Sequence, residues 1–239
     1  MWQALGRAAD QLATRPPRVV VLTGAGDAFT AGMDVNPDNP MIANVAAALA
    51  TGDDAPPRAM LAEIHAVLDR LFALPVPLVA AIGGLAYGGG AELAARCDLR
   101  VMDPAAIVCF SEVRLGLMPD LGGGVALARL LGPGRAADLI LTARKVGADE
   151  ALTLGFANRV SPPGQARATA IALAEDIAAN GPRAVRAALA ILRRSTDLPW
   201  RDAVAAEVDA AAHLIATGEC RQGITAVLGR TTPRFDDPA

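Results

Sequence analysis

Lysine is almost missing from this sequence. Lys145 is the only one, and arginine supplies nearly all of the 22 Lys+Arg set against 25 Asp+Glu. A net charge of −3 without a basic run excludes a general nucleic-acid binder and a basic membrane-surface protein. An anionic cofactor would have to be met locally, by arginine and backbone N–H groups. The lone lysine also excludes a G-x-x-x-x-G-K-[ST] phosphate loop, because no such glycines precede it. Aromatic residues make up 3% of a chain that is 53% hydrophobic, so alanine and small aliphatic residues must fill its core. Cys97, Cys109 and Cys220 are too few and too scattered for a disulfide framework, and they lack the close pairing of a zinc site. His65 and His213 each fall within a helical pattern, where a structural or surface role is expected. Ser111 sits in Phe110–Ser111–Glu112, not in a G-x-S-x-G elbow, so metal-assisted and serine-hydrolase chemistry are set aside. The run GAGDAF begins like a dinucleotide fingerprint, but Phe29 stands where the third glycine belongs.

Long apolar runs are also scarce. The N-terminus, MWQALGRAADQLATRPP, has no h-region, so no secretory signal is expected. Residues 71–91 carry no charge and could span a bilayer by length. Pro75 and Pro77 interrupt them, and Gly83, Gly84, Gly88, Gly89 and Gly90 crowd the second half. A strand, a turn and a helix start are expected there instead. The expectation is a cytoplasmic protein with no metal and no nucleic-acid or membrane partner.

What the chain does have is alternation. Residues 2–14 repeat apolar positions at helical spacing and stop at Pro16–Pro17. Residues 19–23, 78–82, 99–102 and 107–110 are short apolar runs that predict buried strands. A helix with Leu61, Ile64, Leu68, Leu71 and Phe72 on one face lies between the first two, and a short one is expected at 91–96. Strands alternating with helices predict an α/β core. After Pro162–Pro163–Gly164 the pattern becomes helical, over 165–179, 182–195, 200–216 and 219–228. The chain is therefore divided into an α/β core, 1–163, and a helical C-terminal region, 164–239.

Two glycine turns and three carboxylates stand out. The turns are Phe29–Thr30–Ala31–Gly32–Met33–Asp34 and Ala86–Tyr87–Gly88–Gly89–Gly90–Ala91–Glu92, the second leading into a helix. Free N–H groups at such a turn can hold an anion, and glycine lets the backbone approach a ligand. An enolate formed from a thioester needs donors of this kind. Glu92, Glu112 and Asp120 stand among apolar residues and glycines, where a carboxyl can serve as acid or base. The residues alone leave open that Glu92 only caps a helix and that Glu112 and Asp120 face water.

Four segments, in order, resemble the crotonase (enoyl-CoA hydratase/isomerase) family. AAIGGLAYGGGAELAARCDLRV resembles its signature around the second oxyanion-hole glycine, and GAGDAFTAGMDV its first oxyanion turn. LGLMPDLGGGVALARLLG resembles the glycine-rich segment after the second glutamate, and GECRQGITAVLGRTTPRF the C-terminal helix. Glu92 and Glu112 stand at the spacing of the two catalytic glutamates of enoyl-CoA hydratases. The resemblance implies a spiral of strand–turn units with surrounding helices and a C-terminal helical trimerisation region. It implies no permanent cofactor, coenzyme A as part of an acyl-CoA substrate, and a homotrimer or homohexamer.

Carried over position by position, it makes the N–H groups of Met33 and Gly89 the oxyanion hole and Glu92 with Glu112 the acid/base pair. Ala31, Asp34, Gly88 and Arg230 become substrate- or CoA-binding positions, Arg230 on behalf of a neighbouring subunit. Asp120 stands where dienoyl-CoA isomerases carry a catalytic aspartate. The expected reaction is hydration of a 2-enoyl-CoA. Double-bond isomerisation through Glu112 and Asp120 is the enzymatic alternative, and a catalytically silent binding or assembly protein is the alternative of another class. Family members begin with a strand and an N-R-P-containing loop ahead of the first helix. Met1–Trp2 already falls inside that helix, so either the chain is an N-terminally shortened version, with weakened CoA binding as the expected cost, or its start site is misplaced.

Overall fold

The computed structural model of the chain describes residues 1–36 and 38–238. Helix α1 (Trp2–Thr14) precedes strand β1 (Val20–Thr23), and helices α2 (Pro40–Thr51) and α3 (Ala55–Phe72) lead to β2 (Leu78–Ile82). Strand β3 (Leu85–Tyr87), helix α4 (Gly89–Arg96), β4 (Leu99–Met102) and β5 (Ile107–Cys109) follow, then a 3₁₀ turn at Glu112–Leu115. Helices α5 (Gly123–Leu131) and α6 (Pro133–Thr142), strand β6 (Val146–Gly147), helix α7 (Ala148–Leu154) and strand β7 (Arg159–Val160) complete this part. Four helices close the chain: α8 (Ala166–Ala178), α9 (Pro182–Ser195), α10 (Trp200–Thr217) and α11 (Glu219–Leu228).

Strands β1, β2, β4 and β7 form one all-parallel sheet in the order β1-β2-β4-β7. A second, smaller sheet, β3-β5-β6, pairs β3 with β5 in parallel and β5 with β6 in antiparallel. The chain thus visits the two sheets in turn, β2 then β3 and β4 then β5, as a spiral of strand–turn units. Every residue of β2 is buried. Alternation sends Leu78, Ala80 and Ile82 into the main core, while Val79 and Ala81 meet Val101, Ala170 and Leu173 beneath α8. A strand covered on both faces needs an unbroken apolar run, and LVAAI is one.

The uncharged 71–91 stretch is a helix end, two strands and a helix start, and no helix among the described residues is long and apolar enough to cross a membrane. Ile64, Leu68 and Leu71 of α3 are buried, as the helical spacing predicts. Helix α4 starts at Gly89, two residues before the expected Ala91. Arg100 is buried below it and donates to the carbonyls of Ala94 and Cys97 at its end, which pins the helix that carries Glu92. The C-terminal helices differ in burial. Helix α8 lies on the parallel sheet, whereas α10 buries no residue in this single chain.

Candidate active site

The site is assembled where the first glycine turn meets the second. Thr30 bridges Ala86 in parallel, the Tyr87 N–H donates to the Thr30 carbonyl, and the Phe29 and Thr30 N–H groups donate to the Leu85 carbonyl. Gly32 has φ +89° and backs onto this seam so closely that a Cβ there would stand 2.8 Å from the Tyr87 oxygen. Only glycine combines that backbone conformation with that approach. Among the described residues, neither the Met33 nor the Gly89 N–H donates to a protein acceptor. Both residues line one cleft of about 480 Å³.

Glu92, in the first turn of α4, is completely buried at the floor of that cleft. Its carboxylate does not cap its own helix. Oε1 accepts the Asp120 N–H at 3.1 Å, and Oε2 accepts the N–H groups of Leu121 at 2.8 Å and Gly123 at 2.9 Å. The glycines of LGGG make this possible, since a Cβ on Gly123 would lie 2.2 Å from the Glu92 Cα. Burial holds the Glu92 carboxyl above its ordinary range, and the three amides offset that shift only in part.

Glu112, three residues past the end of β5, opens the 3₁₀ turn and is also buried. Its carboxyl approaches Gly88: a Cβ there would lie 3.5 Å from Oε1. Neither of its oxygens has a hydrogen-bond partner among the described residues. Burial first, and then the neighbouring Glu92 and Asp120 carboxyls, raise the Glu112 group to about 7.

Asp120 lines the same cleft but is an exposed residue. It does not cap α5, whose N-cap is Gly122 without a side-chain cap. Loss of hydration pushes its carboxyl up, and the nearby His65 ring opposes the shift.

Ala31, Met33, Gly88, Gly89, Glu92, Glu112 and Asp120 therefore converge on one cleft. Asp34 and Arg230 are not on its wall. The Asp34 carboxylate instead accepts the Asn36 N–H at 2.9 Å, and Arg230 lies exposed beyond α11 with φ +53°. The apolar side of the cleft comes from Met41, Val45 and Leu49 of α2 with Met60, Leu61 and Ile64 of α3. No cluster of three or more metal-ligating side chains occurs among the described residues.

His65, in a helical pattern, is expected to be a surface or structural histidine. Its Nε2 lies 2.7 Å from the Asp120 carbonyl oxygen, at the turn that grips Glu92. A single histidine in an amphipathic helix carries no sequence signal for such a contact.

The family described as enoyl-CoA hydratase/isomerase matches residues 1–238. A Thermus thermophilus relative is 38% identical over 233 residues, covering 97% of this chain and 88% of its own. The short-chain-enoyl-CoA hydratase of Clostridium acetobutylicum is 35% identical over 210 residues, covering 87% and 76%. The crystal structure of an enoyl-CoA hydratase from Bacillus anthracis superposes with a TM-score of 0.86 at 33% identity, covering 98% of this chain and 87% of that one.

Proposed function

The chain belongs to the enoyl-CoA hydratase/isomerase family, and from that premise we propose that it adds water across the 2,3 double bond of an enoyl-CoA thioester. The observation that carries this reading is the pair of unpartnered amides, Met33 and Gly89, in one cleft with Glu92 and Glu112. The amides bind the thioester oxygen and stabilise the charge that develops there when the double bond is attacked. Glu92, whose anion three N–H groups favour, takes a proton from water as the water oxygen bonds to C3. Glu112, raised to about 7 by burial and the neighbouring carboxyls, enters protonated and gives its proton to C2. Proton exchange with solvent resets the pair. No permanent cofactor is needed.

A second reading is supported by Asp120. A third carboxyl on the same cleft, free of any capping duty, could move a proton along the acyl chain together with Glu112 and so shift the double bond. Subunit assembly belongs to the proposal as well. Val208 and Ile215 of α10 and Ile224, Val227 and Leu228 of α11 are exposed apolar residues that a trimer or hexamer would cover. The cytoplasm suits three unpaired cysteines, one of them exposed.

Crotonyl-, 3-enoyl- and dienoyl-CoA, each offered to the purified protein and followed by mass and NMR, test the reading. A 3-hydroxyacyl-CoA carrying one added water is expected from crotonyl-CoA. Double-bond movement without added water would favour the Asp120 reading, and no turnover of any of them would reject both.

A further inference from the structure

The turn from Asp120 to Gly123 points amides inward at Glu92 and carbonyls outward, and two of those carbonyls are taken by side chains. The Nε2 of His65, on α3, meets the Asp120 carbonyl at 2.7 Å. A carbonyl oxygen only accepts, so Nε2 carries the hydrogen. Arg96, at the end of α4, donates from Nη1 to the Leu121 carbonyl at 2.8 Å. Its guanidinium also stacks over Phe72 and reaches Asp69, so it ties α3 and α4 to the turn. Neither His65 nor Arg96 lines the cleft.

The two contacts are not equivalent. The Asp120 carbonyl and the Leu121 N–H belong to one planar, conjugated peptide unit. That N–H makes the shortest of the three contacts to Glu92, 2.8 Å to Oε2. A hydrogen bond accepted at the carbonyl end draws density from the nitrogen end and makes the N–H a stronger donor, by about 10–30% per bond in a chain. Arg96 acts on the next peptide unit, whose Gly122 N–H is not among the donors to Glu92.

We infer that His65 is a positioning residue for Glu92: its ring N–H, acting through the Asp120–Leu121 peptide, strengthens an amide that favours the Glu92 anion. The inference rests on the proposed role of Glu92 as the base, and His65 itself touches neither substrate nor reacting atoms. The charged and titratable groups around Glu92 are Glu112 across the cleft, Asp120 on the turn, His65 behind it on α3 and Arg96 at the end of α4. Asp120 works against the ionised form, and His65 works for it. A role that merely filled space beneath the turn would require volume only. The relay requires a donor at the Nε2 position.

The full-length protein labelled with ¹³C at glutamate carboxyls provides the test, with the Glu92 resonance assigned by Glu92→Gln. His65→Leu keeps volume and removes the donor, and should raise the proton affinity of Glu92 roughly two- to fivefold. His65→Gln restores an N–H and should return the titration to that of the wild type. Arg96→Met should shift it less than His65→Leu. An unchanged titration in His65→Leu, no recovery in His65→Gln, or an equal shift in Arg96→Met each overturns the relay. His65 is half-buried on a helix surface, and His65→Phe gives a second donor-free variant should leucine disturb folding. Because a carboxyl is read and not turnover, the result is separate from whether Glu92 is the base, which the rate of Glu92→Gln decides.

Discussion

Two glutamates end in one cleft, and their surroundings are opposites. The turn around Glu92 is saturated: three amides face the carboxylate, and His65 and Arg96 hold the far side of the same turn. The segment around Glu112 supplies burial and two other carboxyls, and no donor to either oxygen among the described residues. Burial raises both carboxyls, but three amides oppose the shift at Glu92 while two carboxyls add to it at Glu112. A reaction that must remove one proton and deliver another needs such a pair.

The comparison is broken most severely at Gly123. A side chain there collides with Glu92 at its Cα, so Gly123→Ala must displace either the turn or the glutamate. Hydration should fall by about 10²–10⁴-fold, the range for a lost acid–base group, and Glu92→Gln should match it. Activity within tenfold of wild type in Gly123→Ala would show that the amide cradle is not required.

Glu112→Gln separates function from stability. Turnover should drop by a similar factor. Stability should move the other way, because the folded Glu112 carboxyl is held at about 7 against an ordinary 4.5. A group raised in the folded state contributes most below its unfolded value, and that contribution is lost as pH rises through about 7. The glutamine variant should therefore unfold at a higher temperature than wild type at pH 8, and the gain should shrink as pH falls through about 7 and vanish below 4.5. Equal melting temperatures of the two proteins across that range would place Glu112 in contact with water.

Asp120→Asn sharpens the contrast with a smaller effect. Removing its charge lowers the proton affinity of Glu112, so the alkaline limb of the hydration profile should move to lower pH while the maximal rate changes by less than about tenfold. Loss of isomerisation with hydration spared would assign Asp120 to the second reaction. The least change to the cleft is expected from Ile215→Glu on α10, which should reduce the assembled mass in sedimentation and leave the folded chain and its titrations alone. An unchanged mass would reject the proposed assembly through this face.

The legible parts of the sequence were those whose burial leaves a period. LVAAI reads as a strand because both of its faces are covered, and 78–82 matches it. Residues 99–102 and the four C-terminal helices also fall within a residue or two of their expected bounds. Helix α2 was not legible: PMIANVAAALAT is apolar on every side and shows no polar stripe, yet it supplies a wall of the cleft through Met41, Val45, Ala48 and Leu49. Strands β3, β6 and β7 have two or three residues, too few for any period to register. Glu92, Glu112 and Asp120 could be picked out as chemistry-bearing residues, and the structure brings all three to one cleft. Their opposite hydrogen bonding could not be read, since it depends on amides some 30 positions away.

The pH dependence of kcat/KM for hydration of crotonyl-CoA tests the asymmetry most directly. With Glu92 acting ionised and Glu112 acting protonated, the profile should be bell-shaped. It should fall in acid as Glu92 gains a proton and fall again as pH rises through about 7 and Glu112 loses one. A rate that climbs through pH 7 and holds a plateau to pH 9 would mean that Glu112 works as an anion, and would contradict the account.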